Sequence, residues 1–146
     1  LAEQGDFEGA FSAMSTNQSQ VRDVVEDLML AADAARLSGH PSQAVGYLER
    51  VARNHRGDPR APLASFTLGR VLLNQLGQPR EAAQAFSRVR AMAPRGSLAE
   101  DALAREVEAW HRAGAESMAR QRAEEYVQRY PNGTRLRLVR RYGGLE

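Results

Sequence analysis

The sequence predicts an all-α chain of repeated helical hairpins, on three observations. One pattern occurs three times: an apolar helix, a glycine, a second apolar helix led by a small residue, then a proline. The copies run from Leu28 to Pro59, from Pro62 to Pro94 and from Glu100 to Pro131, with hinge glycines at Gly39, Gly77 and Gly114. Within each half the apolar residues recur at spacings of three and four, the period of a helix face, and no segment alternates as a strand would. A hairpin of this size cannot bury its own apolar stripe, so neighbouring copies must stack.

The elements follow in order. Leu1 to Met14 reads as a helix with Leu1, Phe7, Ala10, Phe11 and Met14 as its apolar positions, and residues 1–14 as a partial repeat. Ser15 to Ser19 is polar and loop-like. Repeat one spans residues 20–59. Its first helix is predicted from Gln20 to Ser38, with Val21, Val24, Val25, Leu28, Ala31, Ala32 and Ala35 inward. Gly39 supplies the left-handed position that ends it, and Pro41 suits the first turn of the next helix. Ala44, Val45, Leu48, Val51 and Ala52 carry that helix, and Gly57-Asp58-Pro59 closes it. Repeat two spans 60–96. It pairs a helix over Ala61–Leu76, burying Leu63, Phe66, Leu68, Leu72 and Leu76, with one over Pro79–Met92, burying Ala82, Ala83, Phe86 and Val89. Repeat three spans 97–132. It pairs Leu98–Ala113 with Ala115–Tyr130, and its expected core is Leu103, Val107, Trp110, Met118, Ala119, Ala123, Tyr126 and Val127. After the turn Pro131-Asn132-Gly133, a closing helix is expected from Thr134 to Tyr142 within residues 133–142. The chain opens in mid-pattern at Leu1, so it is expected to be part of a longer one.

The hinge glycine, the alanine five residues later (Ala44, Ala82, Ala119) and the terminal proline resemble the tetratricopeptide repeat. Leu68-Gly69, Phe86 and Pro94 match further signature positions of that repeat, while Glu106 stands where it usually has leucine. The resemblance implies a right-handed α-α superhelix. The stretches around Asp58-Pro59-Arg60-Ala61-Pro62 and Tyr130-Pro131-Asn132-Gly133 resemble periplasmic tetratricopeptide modules of the BamD and CpoB kind. They also resemble those that follow FecR-type domains. That resemblance implies a bacterial, envelope-associated setting, with a cytoplasmic one left open.

Composition narrows the function. The chain has 146 residues, enough for one domain that buries roughly 68–70% of its unfolded surface. It contains no cysteine, which excludes disulfides, thiol catalysis and zinc-thiolate sites. All 20 basic residues are arginines and isoleucine is absent, the trade that a GC-rich coding bias produces. No apolar run approaches the ~20 residues that span a bilayer. His40, His55 and His111 lack a second ligand at metal spacing, so no metal and no cofactor is expected. No carboxylate pair, Ser/His/Asp order or phosphate-binding glycine loop stands out, so no catalytic residue is assigned. Glu106, Glu108, Glu124 and Glu125 are read as solvated helix faces, and Trp110 as core.

Charge is segregated along the chain. Residues 1–49 carry two arginines against eight acids, and residues 50–95 carry nine arginines against two acids. Such segregation either steers an acidic partner to repeat two or neutralises itself where the repeats stack. In tetratricopeptide folds the first helix of each hairpin lines a concave groove. The resemblance therefore implies a peptide-binding groove of Met29, Asp33 and Arg36 from repeat one, Phe66, Arg70, Leu73 and Asn74 from repeat two, and Glu108, His111 and Arg112 from repeat three. The expected function is a non-enzymatic module that binds a peptide or protein, acidic in character. Two alternatives stay open. One is a structural spacer or self-association domain, with a dimer through Leu1, Phe7 and Phe11. The other is arginine-mediated nucleic-acid binding, which lacks interleaved aromatics and is not expected.

Overall fold

The computed structural model describes residues 21–146, so the helix expected over Leu1–Met14, and the dimer contact assigned to it, lie outside the described residues. Seven helices follow in order: α1 (Val25–Leu37), α2 (Pro41–Asn54), α3 (Ala61–Asn74), α4 (Pro79–Met92), α5 (Ala99–Arg112), α6 (Glu116–Arg129) and α7 (Leu136–Gly143). Each helix packs mainly on the next in sequence, and α7 also lies against α5. That neighbour-on-neighbour pattern makes a right-handed superhelix of antiparallel hairpins, α1/α2, α3/α4 and α5/α6, with α7 closing the last. No strand occurs among the described residues.

The hinges turn as the sequence requires. Gly39, Gly77 and Gly114 have φ of 83°, 61° and 75°, in the left-handed region where a side chain would be strained. The backbone closes each hinge by returning an N–H to the end of the preceding helix. His40 donates to Ala35 and Ala115 donates to Trp110, each five residues back, whereas Gln78 reaches six back to Leu72. The middle hinge thus holds one extra residue. Pro41 and Pro79 occupy the first helical position after their hinges, where no N–H is needed.

The connectors between hairpins are equally regular. In each, two successive short turns run end to end: His55–Asp58–Ala61, Ala93–Gly96–Ala99 and Tyr130–Gly133–Leu136, each N–H bonding the carbonyl three residues earlier. In the first, Asp58 also accepts the backbone N–H of Arg60 at 2.8 Å. Because the helices alternate in direction, all three connectors lie on one edge of the superhelix and all three hinges on the other.

The core is mostly leucine, valine and alanine. Small residues let the helices approach closely: a Cβ on Gly69 of α3 would come within 2.6–2.8 Å of the Phe86 ring of α4. Phe86 in turn meets Phe66 edge-on, with ring centroids 5.6 Å apart. The hydroxyl of Ser65, fully buried, donates to the Ala85 carbonyl at 2.8 Å. Two core expectations are corrected. Leu63, expected inside, is 45% exposed, because it stands in the first turn of α3, where the chain leaves the connector. Val24 is exposed because it is extended, with φ −122° and ψ 133°, and precedes the helix instead of joining it. In α7 Val139 and Gly143 are buried, while Leu138 turns outward.

Glu106 is the third correction. Expected on a solvated face, it is 2% exposed. It accepts hydrogen bonds from Arg90 of α4 at 2.7 Å and from the indole N–H of Trp110 at 3.0 Å. Glu125 of α6 joins the same network. It pairs with Arg90 at 3.0 Å and with Arg122 at 2.7 Å. A carboxylate can replace the leucine of the repeat pattern because the arginine that neutralises it arrives from the preceding hairpin.

Candidate functional site

The first helices of the second and third hairpins each present a stripe at i, i+4, i+7 and i+11: Leu63, Thr67, Arg70 and Asn74 on α3, and Asp101, Arg105, Glu108 and Arg112 on α5. The two stripes differ in how far their charges are already satisfied. On α5 the charges pair along the helix, Glu108 with Arg112 at 2.6 Å and Asp101 with Arg105 at 3.6 Å. On α3 Arg70 is exposed and forms no hydrogen bond or ion pair with any described residue.

An open cleft of about 260 Å³ lies between the C-terminal ends of α1 and α3. Arg36, Leu37, Thr67, Arg70, Val71, Asn74 and Gln75 line it. Its apolar lining is buried Val71 and exposed Leu37. Its walls carry two guanidinium groups, two side-chain amides and a hydroxyl. Arg36 is held by Asp33 at 3.3 Å, one turn away on the same helix. Arg70 keeps its full complement of donors for a ligand.

The ten residues expected to form one groove are therefore divided. Arg36, Arg70 and Asn74 share the cleft, and Asp33 braces Arg36. Met29 is half-buried against the core. Phe66 and Leu73 are only 6% and 5% exposed and pack inside the stack. Glu108 and Arg112 neutralise each other on α5. His111 lies against Tyr142 of α7, with ring centroids 5.3 Å apart, and its Nδ1 is 3.1 Å from Glu116. Reasoning from the resemblance missed Leu37, Thr67 and Gln75. The heptad offset from Leu30 to Leu37, both exposed on α1, was the available signal.

Elsewhere charged groups serve the fold. Asp23, ahead of α1, lies 3.1 Å from His55 Nε2 and accepts a bond from Asn54 at 3.1 Å. The hydrogen bond with His55, more than any other contact, holds the Asp23 carboxyl below the usual carboxylate range. The Tyr126 hydroxyl donates to Glu100 at 2.8 Å and accepts the backbone N–H of Arg135 at 3.0 Å, which ties α5 and α6 to the last connector. Burial first, and then the Glu100 carboxylate, push its ionisation up to about 12. Among the described residues no group of three His, Asp or Glu side chains could hold a metal ion. Among the same residues no helix is long and apolar enough to cross a membrane.

The charge segregation is partly neutralised where the hairpins stack. Glu49 of α2 meets Arg88 of α4 at 2.9 Å, and Arg90 meets Glu106 and Glu125, so part of the basic excess is neutralised between hairpins. Arg56, Arg70 and Arg95 are exposed and have no partner among the described residues.

The hinge glycines, the stacking order and the first-helix stripes define a tetratricopeptide-like helical-repeat protein by fold. Two crystal structures of MamA share that fold. One is 21% identical over 99% of this chain and 82% of MamA, with a TM-score of 0.69, and the other is 20% identical over 99% and 77%, with a TM-score of 0.70. No family model matches the chain, and no curated protein matches its sequence.

Proposed function

We propose that this chain is a non-enzymatic protein-binding module that holds an extended, acidic peptide segment in the cleft between α1 and α3. The observation that carries the reading is Arg70. It is an exposed guanidinium with no partner among the described residues, set beside Asn74 and Arg36 in a cleft that Leu37 and Val71 also line. Guanidinium groups grip carboxylates through paired, charge-assisted bonds, and a side-chain amide both donates to and accepts from a peptide backbone. Leu37 and Val71, the apolar members of the lining, meet the side chain between those contacts.

The test is a displayed library of random decapeptides selected on the protein, with the enriched peptides measured again on Arg70→Glu. The reading expects acidic peptides whose affinity falls at least tenfold on the variant. Peptides without acids, or peptides that bind the variant equally well, would overturn it. The setting proposed for the module is a larger, envelope-associated bacterial protein, which fractionation of cells expressing the tagged parent chain tests.

A further inference from the structure

A second cleft, of about 380 Å³, lies on the connector edge at the other end of α3. The first connector and the start of α3 supply Pro59, Pro62 and Leu63, and the second connector supplies Ala93, Gly96, Ser97 and Leu98. It is a notch between consecutive repeats. Its walls are mostly carbon, and prolines and short turns fix their backbone. Leu63 is 45% exposed there, although it stands in a helix whose other leucines are buried or half-buried.

The surroundings of the notch are basic. Arg95 sits on the second connector between two lining residues, Ala93 and Gly96, and Arg56 sits three residues before Pro59. Both are exposed, and neither has a hydrogen-bond or ion-pair partner among the described residues. Asp58, the acid on these two connectors, is already bound to Arg60 at 3.1 Å. The uncompensated charge on these two connectors is therefore positive.

The geometry points to a second protein-docking surface here, one that takes an apolar side chain flanked by acidic residues. A concave notch receives an anchor from a partner, whereas insertion into an anionic membrane calls for protruding apolar side chains with basic groups behind them. Unpaired Arg56 and Arg95 select carboxylates on either side of that anchor and speed its approach. The surface does not depend on the cleft at the C-terminal end of α3. Eleven residues separate Leu63 from Asn74, or about 16 Å at the rise of an α-helix, so one partner can occupy the notch while the other cleft is free.

The experiment uses the same decapeptide library on four proteins: the parent chain, Leu63→Asp, Arg95→Glu and Arg70→Glu. All three changes are at exposed positions, and circular dichroism melting checks that each variant keeps the fold. The expected result is a class of peptides with a Leu, Phe or Met between acids. Their affinity falls at least tenfold on Leu63→Asp and severalfold on Arg95→Glu, and is unchanged on Arg70→Glu. If no selected peptide is sensitive to Leu63→Asp, the inference is overturned, whatever happens at Arg70. It is also overturned if the notch variants lose binding to anionic phosphatidylglycerol vesicles while their peptide binding is unchanged.

Discussion

Arg90 on α4 and Glu106 on α5 meet at 2.7 Å across the boundary between the second and third hairpins, with Glu106 almost wholly buried. The pair replaces the leucine contact of the repeat pattern with a charge. Its satisfaction is incomplete, since Arg90 Nε is buried with no hydrogen-bond partner. Removing one member should therefore cost more than removing both. Glu106→Ala is expected to destabilise by about 3 kcal/mol, because it leaves a buried guanidinium short of its counter-charge. Arg90→Met with Glu106→Leu should lose less than that single change. Urea unfolding of the three proteins decides it, and a double variant that loses as much as Glu106→Ala or more would refute the argument.

Two glycines are required for different reasons, and the difference is measurable. Gly69→Ala places a methyl against the ring of Phe86, which is fully buried, and should cost about 1–3 kcal/mol by overpacking. Shrinking the neighbour with Phe86→Leu should recover part of the Gly69→Ala loss in a double-mutant cycle. Gly77 has open space around its Cβ position but a φ of 61°. Gly77→Val should cost more than about 1 kcal/mol through the backbone, and Phe86→Leu should not relieve it. Equal rescue at both sites would be the wrong outcome.

Tyr126 should make the fold sensitive to alkali. Its folded-state ionisation lies at about 12, against 10.0 for a free tyrosine. The raised value means that the unfolded chain releases this proton first. The associated stability is fully present below pH 10 and is lost as pH rises from 10 towards 12. Tyr47 shifts in the same direction, through burial. Chemical unfolding at pH 9, 10.5 and 11.5 should show a decline that is shallower in Tyr126→Phe. An unchanged slope in that variant would count against the assignment.

Binding at the α1/α3 cleft should respond to salt mainly through its rate of association. Arg70 is exposed, so the attraction it exerts on an acidic peptide is screened over roughly 8 Å at physiological ionic strength. Raising sodium chloride from 50 to 500 mM should slow association severalfold and change dissociation less. In Arg70→Glu the same salt series should flatten or reverse. Stopped-flow fluorescence with a labelled acidic peptide reads both rates.

The helices were legible because their signals are local. Pro79 and Met92 bound α4 as the spacing of Ala82, Ala83, Phe86 and Val89 predicts, and the three hinge glycines adopt the conformation that their positions imply. The first helix was expected five residues too early, because Val21 and Val24 fit its stripe although both precede the helix and Val24 is extended. The site was only partly legible. Arg70 and Asn74 follow from the first-helix pattern, but that pattern does not reveal which apolar members face a neighbouring hairpin. Phe66 and Leu73 are buried for that reason. Glu106 was misread because the arginine that neutralises it is 16 residues away, on another helix. The notch at Leu63 is built by two connectors more than thirty residues apart, and spacing within one segment does not show it.

The Arg90 network joins only the second and third hairpins. Across the preceding boundary, the ion pair between hairpins is the more exposed Glu49–Arg88 contact. In a stack whose members bind chiefly their neighbours, the least fastened end opens first. The α1/α2 hairpin should therefore exchange its amide hydrogens through a partial opening while the rest of the molecule stays closed. The cleft that holds Arg36 on one side and Arg70 and Asn74 on the other lies across that weaker boundary. A peptide seated there would act as a clasp, and its arrival would be recorded as slower exchange throughout α1 and α2, including at amides that it never touches.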